Sequence, residues 1–103
     1  MALRKIRKVL IANRGEIALR VMRTVQELGL DAVVIYEKPD RNAYYVRLAD
    51  DAVMIGEGPR KDYLNIDKVI WAARKSGEDA IHPVYGFLAE NADFSEACEK
   101  EGI

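Results

Sequence analysis

Cysteine, histidine and tryptophan each occur once in these 103 residues, as Cys98, His82 and Trp71, and proline occurs three times. A single cysteine excludes an internal disulfide and a thiolate metal cluster and fits a reducing compartment. Cys98 is therefore expected as a small buried hydrophobe. Neither sign of charge is in excess. The net charge of −1 comes from 16 basic and 17 acidic residues mixed along the chain, which leaves no electrostatic footprint for nucleic acid or an anionic membrane. No apolar run approaches the roughly 20 residues of a membrane span. The basic start, Met1 to Lys8, runs straight into an apolar strand and lacks the uninterrupted core of a signal peptide. A cytoplasmic protein is the expectation.

What is present is a chain about half apolar, enough for one small domain, and it is organised around Val9 to Arg23. Val9 to Ala12 form a continuous apolar run, as in a parallel strand buried on both faces. Asn13 ends it and, with Glu16 three residues on, makes the pattern of a capping box; Gly15 allows a sharp turn. Ile17, Val21, Val25 and Leu28 then recur at helical spacing, with Ala18 and Met22 widening the stripe, and Leu28-Gly29 closes the helix as a left-handed cap.

The alternation continues. Ala32 to Tyr36 reads as a second strand closed by Pro39, Asp40 as the cap of a short helix through Ala43, Val46 and Leu48, and Ala52 to Ile55 as a third strand. Asn65 caps a helix with Ile66, Val69, Ile70 and Ala73 on one face, ending at Ser76-Gly77. Trp71 falls off that stripe and is expected at the surface. Ala80 to His82 form a fourth strand, and a last helix from near Asn91 turns Phe94, Ala97 and Cys98 inward. Ile103 reads as the first residue of a fifth strand, so the chain is expected to be a single domain, residues 1–103, cut from a longer protein.

Strands alternating with helices imply an α/β fold: a three-layer, Rossmann-like parallel sheet of four strands with helices on both faces. Right-handed crossovers give the order 3-2-1-4. That order places the switch point between the carboxyl ends of strands 1 and 4. The loops there are Asn13-Arg14-Gly15 and His82 to Leu88. Glu37 stands where a dinucleotide fold carries its ribose-binding acid, but the first turn has one glycine where that fingerprint needs three, and Glu16 would repel a pyrophosphate. Histidine is the one side chain that ordinarily changes charge near neutral pH, so His82 invites a catalytic role, yet no nucleophile at a recognisable spacing and no second metal ligand accompanies it. It is read as structural, supporting the loop together with Asn13 and Arg14. In Tyr85-Gly86-Phe87, a glycine between aromatics suits either a planar polar ligand or a packed turn.

The segments Ile11 to Ala18 (IANRGEIA), Leu48 to Ala52 (LADDA), Tyr63 to Ile66 (YLNI) and His82 to Asn91 (HPVYGFLAEN) together resemble the N-terminal (preATP-grasp) domain of biotin carboxylase. This component is shared by acetyl-CoA, pyruvate, propionyl-CoA and methylcrotonyl-CoA carboxylases. The resemblance runs the length of the chain. It implies a parent enzyme that uses ATP, Mg²⁺ and bicarbonate, through carboxyphosphate, to carboxylate biotin on a biotin carboxyl carrier protein or domain for a separate carboxyltransferase. It also implies that Tyr85 and Gly86 lie close to biotin, and that Arg20, Arg23 and Glu27 meet a second protomer in a homodimer. The family's phosphate, metal and catalytic residues lie beyond position 103, so the resemblance implies no metal ligand and no catalytic residue here. Val84 stands where the family usually has glycine, Ala89 where it often has serine, and Tyr45 where histidine is common. Two other readings are open: the leading domain of another ATP-grasp ligase such as carbamoyl phosphate synthetase, and a stand-alone interaction domain.

Overall fold

The computed structural model describes residues 6–59, 61–77, 80–83, 88 and 91–102. Four parallel strands, β1 (Lys8–Ile11), β2 (Asp31–Glu37), β3 (Asp51–Gly56) and β4 (Ala80–His82), form one sheet in the order β3-β2-β1-β4, as the sequence predicts. Ile103, the expected opening of a fifth strand, lies outside the described residues. Because successive strand residues face opposite ways, β1 and β2 each feed two cores. Leu10, Ala12, Val33 and Ile35 pack with α3 (Ile66–Ser76) and α4 (Ala92–Lys100), whereas Val9, Ile11, Ala32 and Val34 pack with α1 (Gly15–Glu27) and α2 (Tyr44–Leu48). Central position explains why Ala32 to Ile35 are fully buried.

Helix ends follow from their caps. Asn65 accepts from the Lys68 N–H at 3.1 Å, the cap the sequence predicts, and Asn91, near which the last helix is expected to start, accepts from the Phe94 N–H at 3.0 Å. Behind α1, Gly29 has φ +79°, and the Gly29 and Leu30 N–H groups return to Gln26 and Val25, a full Schellman closure. Cys98 packs half-buried against the α3 and α4 core, where burial pushes its thiol pKa up.

Three local expectations are corrected. Asn13 does not cap α1 and no capping box forms: the cap position is Arg14, without a side-chain hydrogen bond, and Glu16 is exposed. The buried row of α1 is Ala18, Leu19, Met22 and Val25; Ile17 and Val21 are half-buried at the rim and Leu28 is 71% exposed. Two neighbouring rows of this helix are apolar, and the sheet takes the one with small Ala18 and adaptable Met22. Nor does Asp40 cap α2, whose cap position is Ala43; Asp40 ends a 3-10 turn, Lys38–Asp40, and its carboxylate points to Arg14.

Candidate functional site

The carboxyl edge of the sheet carries the polar chemistry of the chain. Where β1 ends, the Ala12 N–H donates to the His82 carbonyl at 3.0 Å, extending the ladder to β4. Asn13 follows, only 1% exposed. Its Oδ1 accepts from the Arg14 N–H at 2.8 Å and its Nδ2 donates to the Pro83 carbonyl at 3.2 Å, joining the loops after β1 and β4. Gly15, at φ +65°, then turns the backbone into α1.

Arg14 swings towards β2. Its Nε and Nη2 donate to the two oxygens of Asp40 at 2.8 and 2.6 Å, a bidentate pair that raises the guanidinium pKa further. Asp40 also accepts from the Tyr63 hydroxyl at 2.7 Å, so the Tyr63 proton is committed to the carboxylate. The Tyr63 oxygen in turn accepts from the Glu37 N–H at 3.0 Å, and Tyr45 Oη lies 3.0 Å from it and 3.0 Å from the Ile35 carbonyl. Burial pushes the Tyr63 phenol up to about 12 and raises Tyr45 as well.

Sequence reasoning missed the second layer of this cluster. Glu37 and Asp62 are both 2% exposed. Glu37 accepts from the Asp62 N–H at 3.0 Å; Asp62 accepts from the Gly58 N–H at 2.9 Å and pairs with Lys68, which holds its carboxyl below the usual range. A register shift between β2 and β3 sets Glu37 opposite Gly56, and a Cβ on Gly56 would fall 2.3 Å from the Asp62 carboxyl carbon. The sequence signal was Gly56 followed six residues later by an acid. Glu37 is thus a scaffold residue and not a ribose ligand. The cleft outside this cluster, about 440 Å³, is lined by Arg14, Glu37, Pro39, Asp40 and Pro59. With two carboxylates facing it and Arg14 already paired, it does not fit a phosphate. Among the described residues no group of three or more His, Cys, Asp or Glu could hold a metal ion.

The remaining predicted residues lie elsewhere. Arg20, Arg23 and Glu27 are exposed on the outer face of α1. Arg20 and His82 border a largely apolar groove of about 490 Å³ with Ile6, Val21, Leu28 and Leu30. Tyr85 and Gly86, with Val84, lie outside the described residues. Trp71 is half-exposed, as expected, with the Lys75 ammonium 4.9 Å from its ring centre.

The family model for the biotin carboxylase N-terminal domain matches residues 5–103. The chain belongs to this family. A pyruvate carboxylase polypeptide of Methanothermobacter thermautotrophicus is 54% identical over 97 residues, which are 93% of this chain and 20% of that protein. Among solved structures, the Campylobacter jejuni biotin carboxylase, crystallised as a β-γ-ATP complex, superposes with a TM-score of 0.94 at 47% identity over 96% of this chain and 22% of its own. The biotin carboxylase domain dimer of Hydrogenobacter thermophilus 2-oxoglutarate carboxylase, in complex with MgADP, ADP and bicarbonate, gives 0.92 at 48% identity, covering 98% of this chain and 22% of that one. This biotin carboxylase N-terminal domain therefore spans about a fifth of the length of the relatives it matches.

Proposed function

We propose that the chain is the leading domain of a longer biotin carboxylase, a ligase that spends ATP, with Mg²⁺ and bicarbonate, to carboxylate biotin held on a carrier protein or domain. A carboxyltransferase partner then passes the carboxyl group on. The observation that carries this reading is the match of nearly the whole chain to one end-domain of carboxylases, one of whose complexes holds ADP, Mg²⁺ and bicarbonate. Within that enzyme the domain supplies scaffold. Asn13, Arg14 and His82 support the loop after β4, Tyr85 and Gly86 of that loop approach biotin, and Arg20, Arg23 and Glu27 meet a second protomer. The lone cysteine supports a cytoplasmic location.

The acid-lined cleft favours a division of labour in which phosphoryl chemistry is done elsewhere. A loose phosphoryl transition state needs cations or oriented N–H donors around it, and here carboxylates occupy that place. The purified 103-residue chain should neither hydrolyse ATP nor carboxylate free biotin, whereas the full-length protein should do both in the presence of bicarbonate. Bicarbonate-dependent ATP turnover by the pure chain, above a blank, would overturn this division.

A further inference from the structure

The turn between β1 and α1 enters its helix without a side-chain cap. Arg14 at the cap position makes no side-chain cap hydrogen bond, and Gly15 at φ +65° is the residue type that least restricts the backbone. Yet Asn13, in the middle of this turn, sets the start of the loop after β4. With its Oδ1 held by the Arg14 N–H, its Nδ2 is directed at the Pro83 carbonyl. The position of Asn13 therefore depends on where Arg14 is held. Arg14 is held from the other half of the sheet through Asp40, Tyr63 and Tyr45, ending on the β2 backbone at Ile35 and Glu37.

We propose that Asp40 and Tyr63 are positioning residues for the backbone leaving β4 at Pro83, acting through Arg14 and Asn13. The relay runs across three strands in hydrogen bonds of 2.6 to 3.2 Å, and its inner members, Tyr45, Tyr63 and Asn13, are at most 2% exposed. Such buried, paired polar chains fix one geometry where an apolar core would tolerate several. The consequence for biotin rests on the proposed function, because Tyr85 and Gly86 follow Pro83 in the chain.

The test uses the full-length protein and four variants. Asn13→Asp keeps the acceptor for Arg14 but loses the donor to Pro83, and Asn13→Ala removes both contacts without burying a charge. Asp40→Asn weakens the clamp. Asn65→Ala removes the α3 cap, a comparable loss of stability away from the relay. Displacing the loop origin should raise the KM for free biotin about tenfold in the Asn13 variants and about threefold in Asp40→Asn, with the KM for ATP within about twofold. Asn65→Ala should move neither. Equal movement of both constants, or relay variants that behave like Asn65→Ala, overturns the proposal. Amide exchange separates this outcome from failure of the functional reading. If the wild-type protein does not carboxylate biotin, Asp40→Asn should still speed exchange in a peptide covering residues 11–17 about tenfold while a peptide covering 66–76 is unchanged. Unchanged exchange at 11–17 overturns the relay itself.

Discussion

Two charged regions of this domain use the same residue types to opposite ends. Beyond β2 and β3, Glu37 and Asp62 are each 2% exposed, and with Asp40 they find Arg14, Lys68, a tyrosine hydroxyl and backbone N–H groups inside the chain. On the outer face of α1, Arg20, Arg23 and Glu27 stand in solvent beside the 71% exposed Leu28. A buried charge is tolerated only when paired and hydrogen-bonded, so the first region is costly to disturb. Exposed charges three or four residues apart contribute only tenths of a kcal/mol to their own helix, about 0.2–0.5, so the second is available to a neighbouring molecule. Charge in this sequence thus reports stability at the first place, and burial distinguishes it from the second, whose charges stay in solvent.

Substitutions should rank accordingly. Gly56→Ala forces its Cβ into the carboxylate of Asp62, which Gly58 and Lys68 hold in place, and should lower the unfolding free energy in urea by about 3 kcal/mol. A loss under about 1 kcal/mol would mean that Asp62 moves freely. Tyr63→Phe leaves the Glu37 N–H without that acceptor and Asp40 without that donor, and about 2 kcal/mol should be lost.

Alkali sharpens the same comparison. The folded state favours the neutral Tyr63 phenol, with a pKa of about 12 against an ordinary 10. Its contribution is therefore whole below pH 10 and lost as pH rises towards 12, where the unfolded chain has already released the proton. Tyr63 should account for about 2–3 kcal/mol of the wild-type loss over that window, the raised Tyr45 phenol adding to the loss in both proteins, so Tyr63→Phe should lose less, as urea midpoints at successive pH values would show. Smaller still, Asn91→Ala removes the α4 cap and should cost about 1 kcal/mol.

The sheet order, the cap at Asn65, the start of the last helix near Asn91 and most core residues were legible because each rests on a local pattern: apolar runs, helical spacing, an amide before a helix. The polar cluster was not. Asn13 and Glu16 have the spacing of a capping box, but Asn13 serves the neighbouring N–H and a carbonyl 70 residues away, a partner only the folded sheet brings near. Asp40 sits where a cap would, yet a bidentate guanidinium outcompetes a helix N–H for a carboxylate. Glu37 stands out in the sequence only for its distance from the first turn and Asp62 for nothing, because their meeting depends on the β2–β3 register shift that sets Glu37 opposite Gly56 and on the Asp62 N–H reaching the Glu37 carboxylate. For the candidate site, the strand order located the β1 and β4 loops, and the resemblance named residues within them; the relay from Asp40 depends on side-chain directions that no spacing encodes.

Glu27→Arg asks most directly whether the α1 face works between molecules while the buried cluster works within one. In the 103-residue chain the urea midpoint should be unchanged within error, since a surface substitution away from packed features shifts stability by less than about 0.5 kcal/mol. In the full-length protein, sedimentation velocity over a dilution series should show the dimer dissociating at higher concentration than in wild type. Sedimentation that matches wild type at every concentration would contradict this assignment of the two regions.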